Sequence, residues 1–179
     1  AACQKDVPAT LVKGNWRVIT IAPSTAANIQ ALGVSNIMVG VSEWCPVGDF
    51  RDLPRVGSLG APSLERIAEL NPNVVIVQGR HDVLEKYCQQ NGVFFKSFTT
   101  DSIELWRKEI SWLGNTFDCQ DRATSLVQTF NEQLTKLNPQ HLSKPCLLVA
   151  SRKNFDVADL LVAARQSFLS ELLVAAGGA

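Results

Sequence analysis

Three side chains with chemistry to offer stand just past apolar runs: Trp44 follows NIMVGV (36–41), and the pair Arg80 and His81 follows NVVIVQ (73–78). An aromatic face together with a guanidinium suits a large planar or carboxylate-bearing ligand. Taken singly, each is more often loop packing or solvated charge, and it is their shared placement that makes them a candidate ligand-contact group. Ser24 and Thr25 open the segment STAANIQALG (24–33) and have two readings, as helix N-caps or as anion ligands at a helix N-terminus. Glu65, in LERIAEL (64–70), lies off the face made by Leu64, Ile67 and Ala68, so it reads as an exposed acid that complements the helix dipole and aids solubility.

Several chemistries lack their residues. The first strand is followed by APSTAAN, which is neither G-x-G-x-x-G nor a phosphate loop ending in Gly-Lys-Ser/Thr. No serine sits in G-x-S-x-G, and His81 and His141 occur in unrelated contexts, so hydrolytic catalysis has no support. The five cysteines, at 3, 45, 88, 119 and 146, show no C-x-x-C spacing and no clustering with the two histidines, which argues against a metal site. The chain reads as a non-enzymatic protein without a resident cofactor. The opening AAC makes Cys3 a candidate lipid-attachment residue, because small residues directly before a cysteine are what a bacterial lipoprotein signal leaves at its cleavage point.

The elements that would position these residues alternate. The 179 residues are 46% hydrophobic, and seventeen basic residues balance seventeen acidic ones, so the chain is globular and carries no field to attract nucleic acid. No apolar stretch reaches the ~18 residues of a membrane span. After a polar leader or linker (1–16), RVITIA (17–22), NIMVGV, NVVIVQ and VFFKSF (93–98) read as strands apolar on both faces, with helices between them stopped by Gly33 and Gly92. That pattern predicts a doubly wound parallel sheet over 17–100, an α/β lobe. Residues 42–62 read as a long loop. From Asp101, paired with Glu104 as a capping box, Ile103, Trp106, Ile110, Leu113 and Phe117 begin a helical stripe that runs on to Leu137. This predicts a long connecting helix over 101–138. CLLVAS (146–151) and SFLSELLVAAGG (167–178) then read as a strand and a helix, the start of a second α/β lobe over 145–179 that looks truncated. One strand and one helix cannot bury both their faces, so the expectation is either a longer protein or a borrowed partner.

The segments RVITIAPSTAANIQALGVSNIMVGVSEWC and LPRVGSLGAPSLERIAELNPNVVIV resemble the substrate-binding proteins of importers for cobalamin, ferric siderophores and heme, the class III periplasmic binding proteins with two α/β lobes joined by a long helix. The likeness continues more weakly to SFLSELLVAAGG and so covers nearly the whole chain. It implies an extracytoplasmic, periplasmic protein, lipid-anchored if Cys3 is modified, that captures an iron chelate, cobalamin or heme and hands it to an ABC permease. It implies a cleft lined by Trp44, Arg80 and His81 and bordered by the loop Gly57 to Ala61, with Gly60 inside it. It also implies that Glu65 and Glu171, one on each lobe, dock against permease arginines. Two departures are visible: Ala27 stands where family members commonly carry a glutamate, and members continue well past Gly177-Gly178. Two rivals use the same sheet: a flavodoxin-like or nucleotide-using enzyme, for which the phosphate loop is missing, and a free-metal carrier, for which two histidines are too few.

Overall fold

The computed structural model describes residues 14–46, 50–137, 148–152, 160–163 and 167–177. Cys3, His141 and Cys146 lie outside the described residues, as does the leader before Gly14. The described chain divides into two compact units, one of Ala1–Thr99 with Ser111–Ala123, the other of Thr100–Ile110 with Thr124–Ala179.

The first unit is built on a four-stranded parallel sheet. Strands β1 (Val18–Thr20), β2 (Met38–Val41), β5 (Val74–Gln78) and β6 (Phe94–Phe98) lie in the order β2-β1-β5-β6, all parallel. β1 and the first four residues of β5 are buried completely, which is why these strands are uninterrupted apolar runs. Helix α1 (Pro23–Ala31) returns the chain from β1 to β2, and α3 (Asp82–Gln90) returns it from β5 to β6. Ile19, Val75, Val77, Ile67, Leu84 and Cys88 form one packed cluster, with Leu64 of α2 (Leu64–Glu69) and its C-cap Leu70 against it. Ala68, expected on that inner face, is exposed, because a helix of six residues presents too narrow a stripe to bury it.

Three expectations about local structure are corrected. The N-cap of α1 is Ala22, not Ser24 or Thr25, and Pro23 occupies the first helical position, where its missing N–H is no loss. The turn before the helix is tied instead by the Thr20 hydroxyl, which accepts from the Ala22 N–H and donates to the Ala22 carbonyl, each at 3.3 Å. The segment 42–62 is not plain loop: the strand pair β3 (Gly57–Ser58) and β4 (Ala61–Pro62) forms a tight antiparallel hairpin, and Arg55 bridges in parallel to Val41. Thirdly, helix α4 (Ile103–Thr116) is capped by Ser102, whose hydroxyl accepts from the Leu105 N–H at 3.1 Å, rather than by Asp101. Glu104 turns instead toward Arg107 and Lys108, at 3.8 and 3.5 Å.

The long helical stripe is real but divided. α4 ends at a turn in which Asp118 takes a left-handed φ of 53°, and α5 (Gln120–Lys136) starts afresh. Gly114 is part of that turn's packing, since a Cβ there would stand 2.5 Å from the Ala123 Cβ. Trp112, in the part of α4 that belongs to the first unit, stacks on Phe94 and meets Phe98 edge-on. The Lys96 ammonium lies between them, 5.1 Å from the Phe98 ring centre and 4.7 Å from that of Trp112.

In the second unit, β7 (Val149–Arg152) pairs antiparallel with β8 (Leu160–Val162), a strand absent from the sequence reading, and α6 (Phe168–Ala175) follows, capped by Ser167. Trp106 packs on Phe130 with ring centres 4.5 Å apart.

Candidate functional site

In a parallel sheet the connections leaving the carboxyl ends of the strands converge where the strand order reverses, and here the reversal falls between β1 and β5. The chain leaves β1 through Ala22 and Pro23 into α1, and leaves β5 through Gly79, Arg80 and His81 into α3. A direct bond joins the two: the Gln78 side-chain amide donates to the Thr25 hydroxyl at 3.2 Å. Thr25 is thus buried and used in the fold, whereas its neighbour Ser24 is exposed. Neither acts as a side-chain cap for α1.

His81 joins two more parts. It is the N-cap of α3, where its Nδ1 accepts from the Leu84 N–H at 3.2 Å, and its Nε2 lies 2.9 Å from the Leu59 carbonyl. A carbonyl only accepts, so the proton is on Nε2 and the ring is the neutral tautomer. Both nitrogens are therefore engaged in holding the β3–β4 hairpin against the start of α3. Gly60, exposed beside Leu59 at the hairpin tip, is brought next to this junction. Gly57 makes the hairpin possible, with φ 95° and a position where a Cβ would stand 2.4 Å from the Ala61 carbonyl oxygen.

Arg80 is exposed and forked onto its near neighbour Asp82, Nε to Oδ1 at 2.6 Å and Nη2 to Oδ2 at 2.9 Å. The pair raises the Arg80 pKa and holds the Asp82 carboxyl below the usual carboxylate value. An exposed pair of this kind is weak and exchanges readily for a ligand carboxylate. Trp44 is the most exposed large hydrophobic residue among the described residues, at 75%, in the turn after β2. The Trp44 main-chain N–H donates to the Ser42 hydroxyl at 3.2 Å. Leu59 and Val83 add exposed apolar surface in the hairpin and in the first turn of α3.

The two expected docking acids differ. Glu65 is exposed in the first turn of α2, whose N-cap Ser63 accepts from the Arg66 N–H at 3.4 Å. Glu171, in the second unit, is half-buried, and its carboxylate accepts from the Ile103 N–H at 2.6 Å. The expectation of an exposed acid is corrected there, because Glu171 satisfies one of the free N–H groups at the start of α4. One residue that the sequence reading passed over is Arg55, which binds three main-chain carbonyls of the Trp44 segment. A single charged residue inside a proline- and glycine-rich stretch carries no periodic signal. Among the described residues no group of histidine, cysteine and acidic side chains could hold a metal ion, and no helix is long and apolar enough to cross a membrane.

The family described as periplasmic binding protein matches residues 18–179, and the chain belongs to that family, whose members bind rather than transform their ligands. The high-affinity heme uptake system protein IsdE of Staphylococcus aureus is 21% identical over 99% of this chain and 61% of its own. The structure is similar to that of the periplasmic heme-binding protein HutB of Vibrio cholerae, with a TM-score of 0.79 and 18% identity over 93% of this chain and 65% of that one. It is similar also to the petrobactin-binding protein YclQ of Bacillus subtilis, with a TM-score of 0.78 and 18% identity over 93% of this chain and 60% of that one. The chain thus spans less than two thirds of the length of each of these relatives.

Proposed function

We propose that the protein is the substrate-binding component of an ABC importer, acting outside the cytoplasmic membrane, and that it captures an iron chelate, cobalamin or heme for a membrane permease. The observation that carries the reading is the strand-end surface of the first unit. There, loops tied by the Thr25–Gln78 and His81–Leu59 bonds present Ser24, Gly60 and Arg80 to solvent, and the turn after β2, bonded to the hairpin through the Glu43 N–H and the Gly57 carbonyl, presents Trp44. A wide aromatic face and a readily exchanged guanidinium suit a planar ligand with carboxylates. Heme is the first ligand to try, given the names of IsdE and HutB, and an iron chelate of the petrobactin kind the next. His81 serves this surface by positioning the hairpin. Glu65 is the docking residue for a permease arginine, Glu171 its counterpart only if the cap on α4 is exchanged, and Cys3 the point of lipid attachment.

Uptake by the reconstituted importer tests the reading. The wild-type protein supports ATP-driven uptake, while Glu65→Ala keeps its ligand affinity and loses uptake, since a desolvated permease arginine left unpaired costs about 2 to 5 kcal/mol of docking. Full uptake with Glu65→Ala would make this residue a plain surface charge, and no uptake with wild type would contradict the function.

A further inference from the structure

Trp44 offers its ring to solvent, so the region the ring can reach is set first by the main chain that carries it. Besides the Ser42 hydroxyl under the Trp44 N–H and the Gly57 carbonyl that accepts from the Glu43 N–H, one guanidinium holds the carbonyls on both arms of that main chain. The Arg55 guanidinium donates from Nη1 to the Ser42 carbonyl at 2.9 Å and to the Cys45 carbonyl at 3.0 Å, one on each side of Trp44. From Nη2 it donates to the carbonyl of Phe50 at 3.2 Å, where the chain turns back around a buried ring. The base from which Arg55 reaches is itself fixed: the Val41 N–H donates to the Pro54 carbonyl and the Val56 N–H to the Val41 carbonyl, both at 3.0 Å, so Arg55 runs beside β2. The same residue also faces α2, because the Arg66 Nη1 donates to the Arg55 carbonyl at 3.0 Å.

We infer that Arg55 is the positioning residue of the ligand surface, a side chain that touches no ligand but sets the direction of Trp44 by clamping the carbonyls of the turn that bears it. The inference rests on the ligand reading of Trp44. The planar fork matters as well as the charge. Nη1 takes the two carbonyls that flank Trp44 while Nη2, in fixed relation to it, takes the Phe50 carbonyl, three acceptors that the single nitrogen of a lysine cannot hold in the same geometry. Arg55 also ties the turn to the helix of Glu65, so the ligand side and the expected docking side of the first unit share one anchor.

The test uses protein labelled with 5-fluorotryptophan, whose four tryptophans give separate fluorine resonances, Trp44 being assigned by its loss in Trp44→Phe. In Arg55→Lys, and in Arg55→Gln as a second variant, the Trp44 resonance should change its shift or linewidth while those of Trp16, Trp106 and Trp112 stay in place. A general loss of structure would move all four. Hemin affinity should fall about tenfold in Arg55→Lys, and less than twofold when the same change is made in Trp44→Ala. A Trp44 resonance unchanged in both folded variants, or four resonances moving together, would overturn the assignment, as would an equal loss of affinity with and without Trp44. If the wild type binds neither hemin, a ferric siderophore nor cobalamin while Trp44 alone still responds to Arg55→Lys, the ligand reading fails and the positioning role stands.

Discussion

Arg80 precedes α3 and Cys88 lies in its last turn, and their surroundings give them opposite fates. The Arg80–Asp82 pair is solvated, so Arg80→Ala should leave the thermal midpoint unchanged, as melting of the two proteins would show. The same change should weaken a carboxylate-bearing ligand such as hemin more than cobalamin. Cys88 is fully buried; burial above all, with the Glu85 charge in addition, pushes its thiol from 9.0 up to about 12. It should therefore resist alkylation at pH 8 in the folded protein and react once unfolded. Because the folded thiol keeps its proton where the unfolded one loses it, stability from this group is present below pH 9 and is lost as pH rises from about 9 toward 12. A denaturation series in that window, wild type against Cys88→Ala, reads the difference. At this scale the sequence shows Trp44, Arg80 and His81, since an abrupt change from apolar to polar marks a strand end. It does not show what His81 holds, because the Leu59 carbonyl is brought to it only by the hairpin.

Among the elements, α2 and α6 carry the two acids, and their different mountings predict different costs. Glu65 lies on the solvent side of α2, so Glu65→Ala should change the unfolding free energy by no more than about 0.5 kcal/mol. Glu171 satisfies the Ile103 N–H, so Glu171→Ala should cost about 1 to 2 kcal/mol, the usual loss when a helix start is left without its acceptor. Urea denaturation of both variants decides, and equal values would contradict the distinction. In the hairpin, Gly57→Ala should destabilise by about 1 to 3 kcal/mol, because it forces a side chain into a left-handed conformation against the Ala61 carbonyl. The helical stripe was legible in its period but its interruption was not. The left-handed residue is Asp118, and an aspartate there does not announce a stop as a glycine would.

For the whole molecule, the first unit follows from its sequence because its central strands β1 and β5 are buried on both faces and so read as continuous apolar runs, while the edge strand β6 keeps an exposed Ser97. The second unit was less legible, since the β7–β8 pairing depends on a partner strand that follows an interval of mixed residues. The family covers both units, and the strand-end surface of the first presents the groups on which the proposed capture depends. That claim is tested most directly by titrating the protein and its Trp44→Ala variant with hemin, a ferric siderophore and cobalamin, each followed by calorimetry. The account predicts saturable binding of one of these by the wild type and a loss of about 1 to 3 kcal/mol in Trp44→Ala, the range for an aromatic anchor. Saturation by none of the three, or equal affinity in the two proteins, would contradict it.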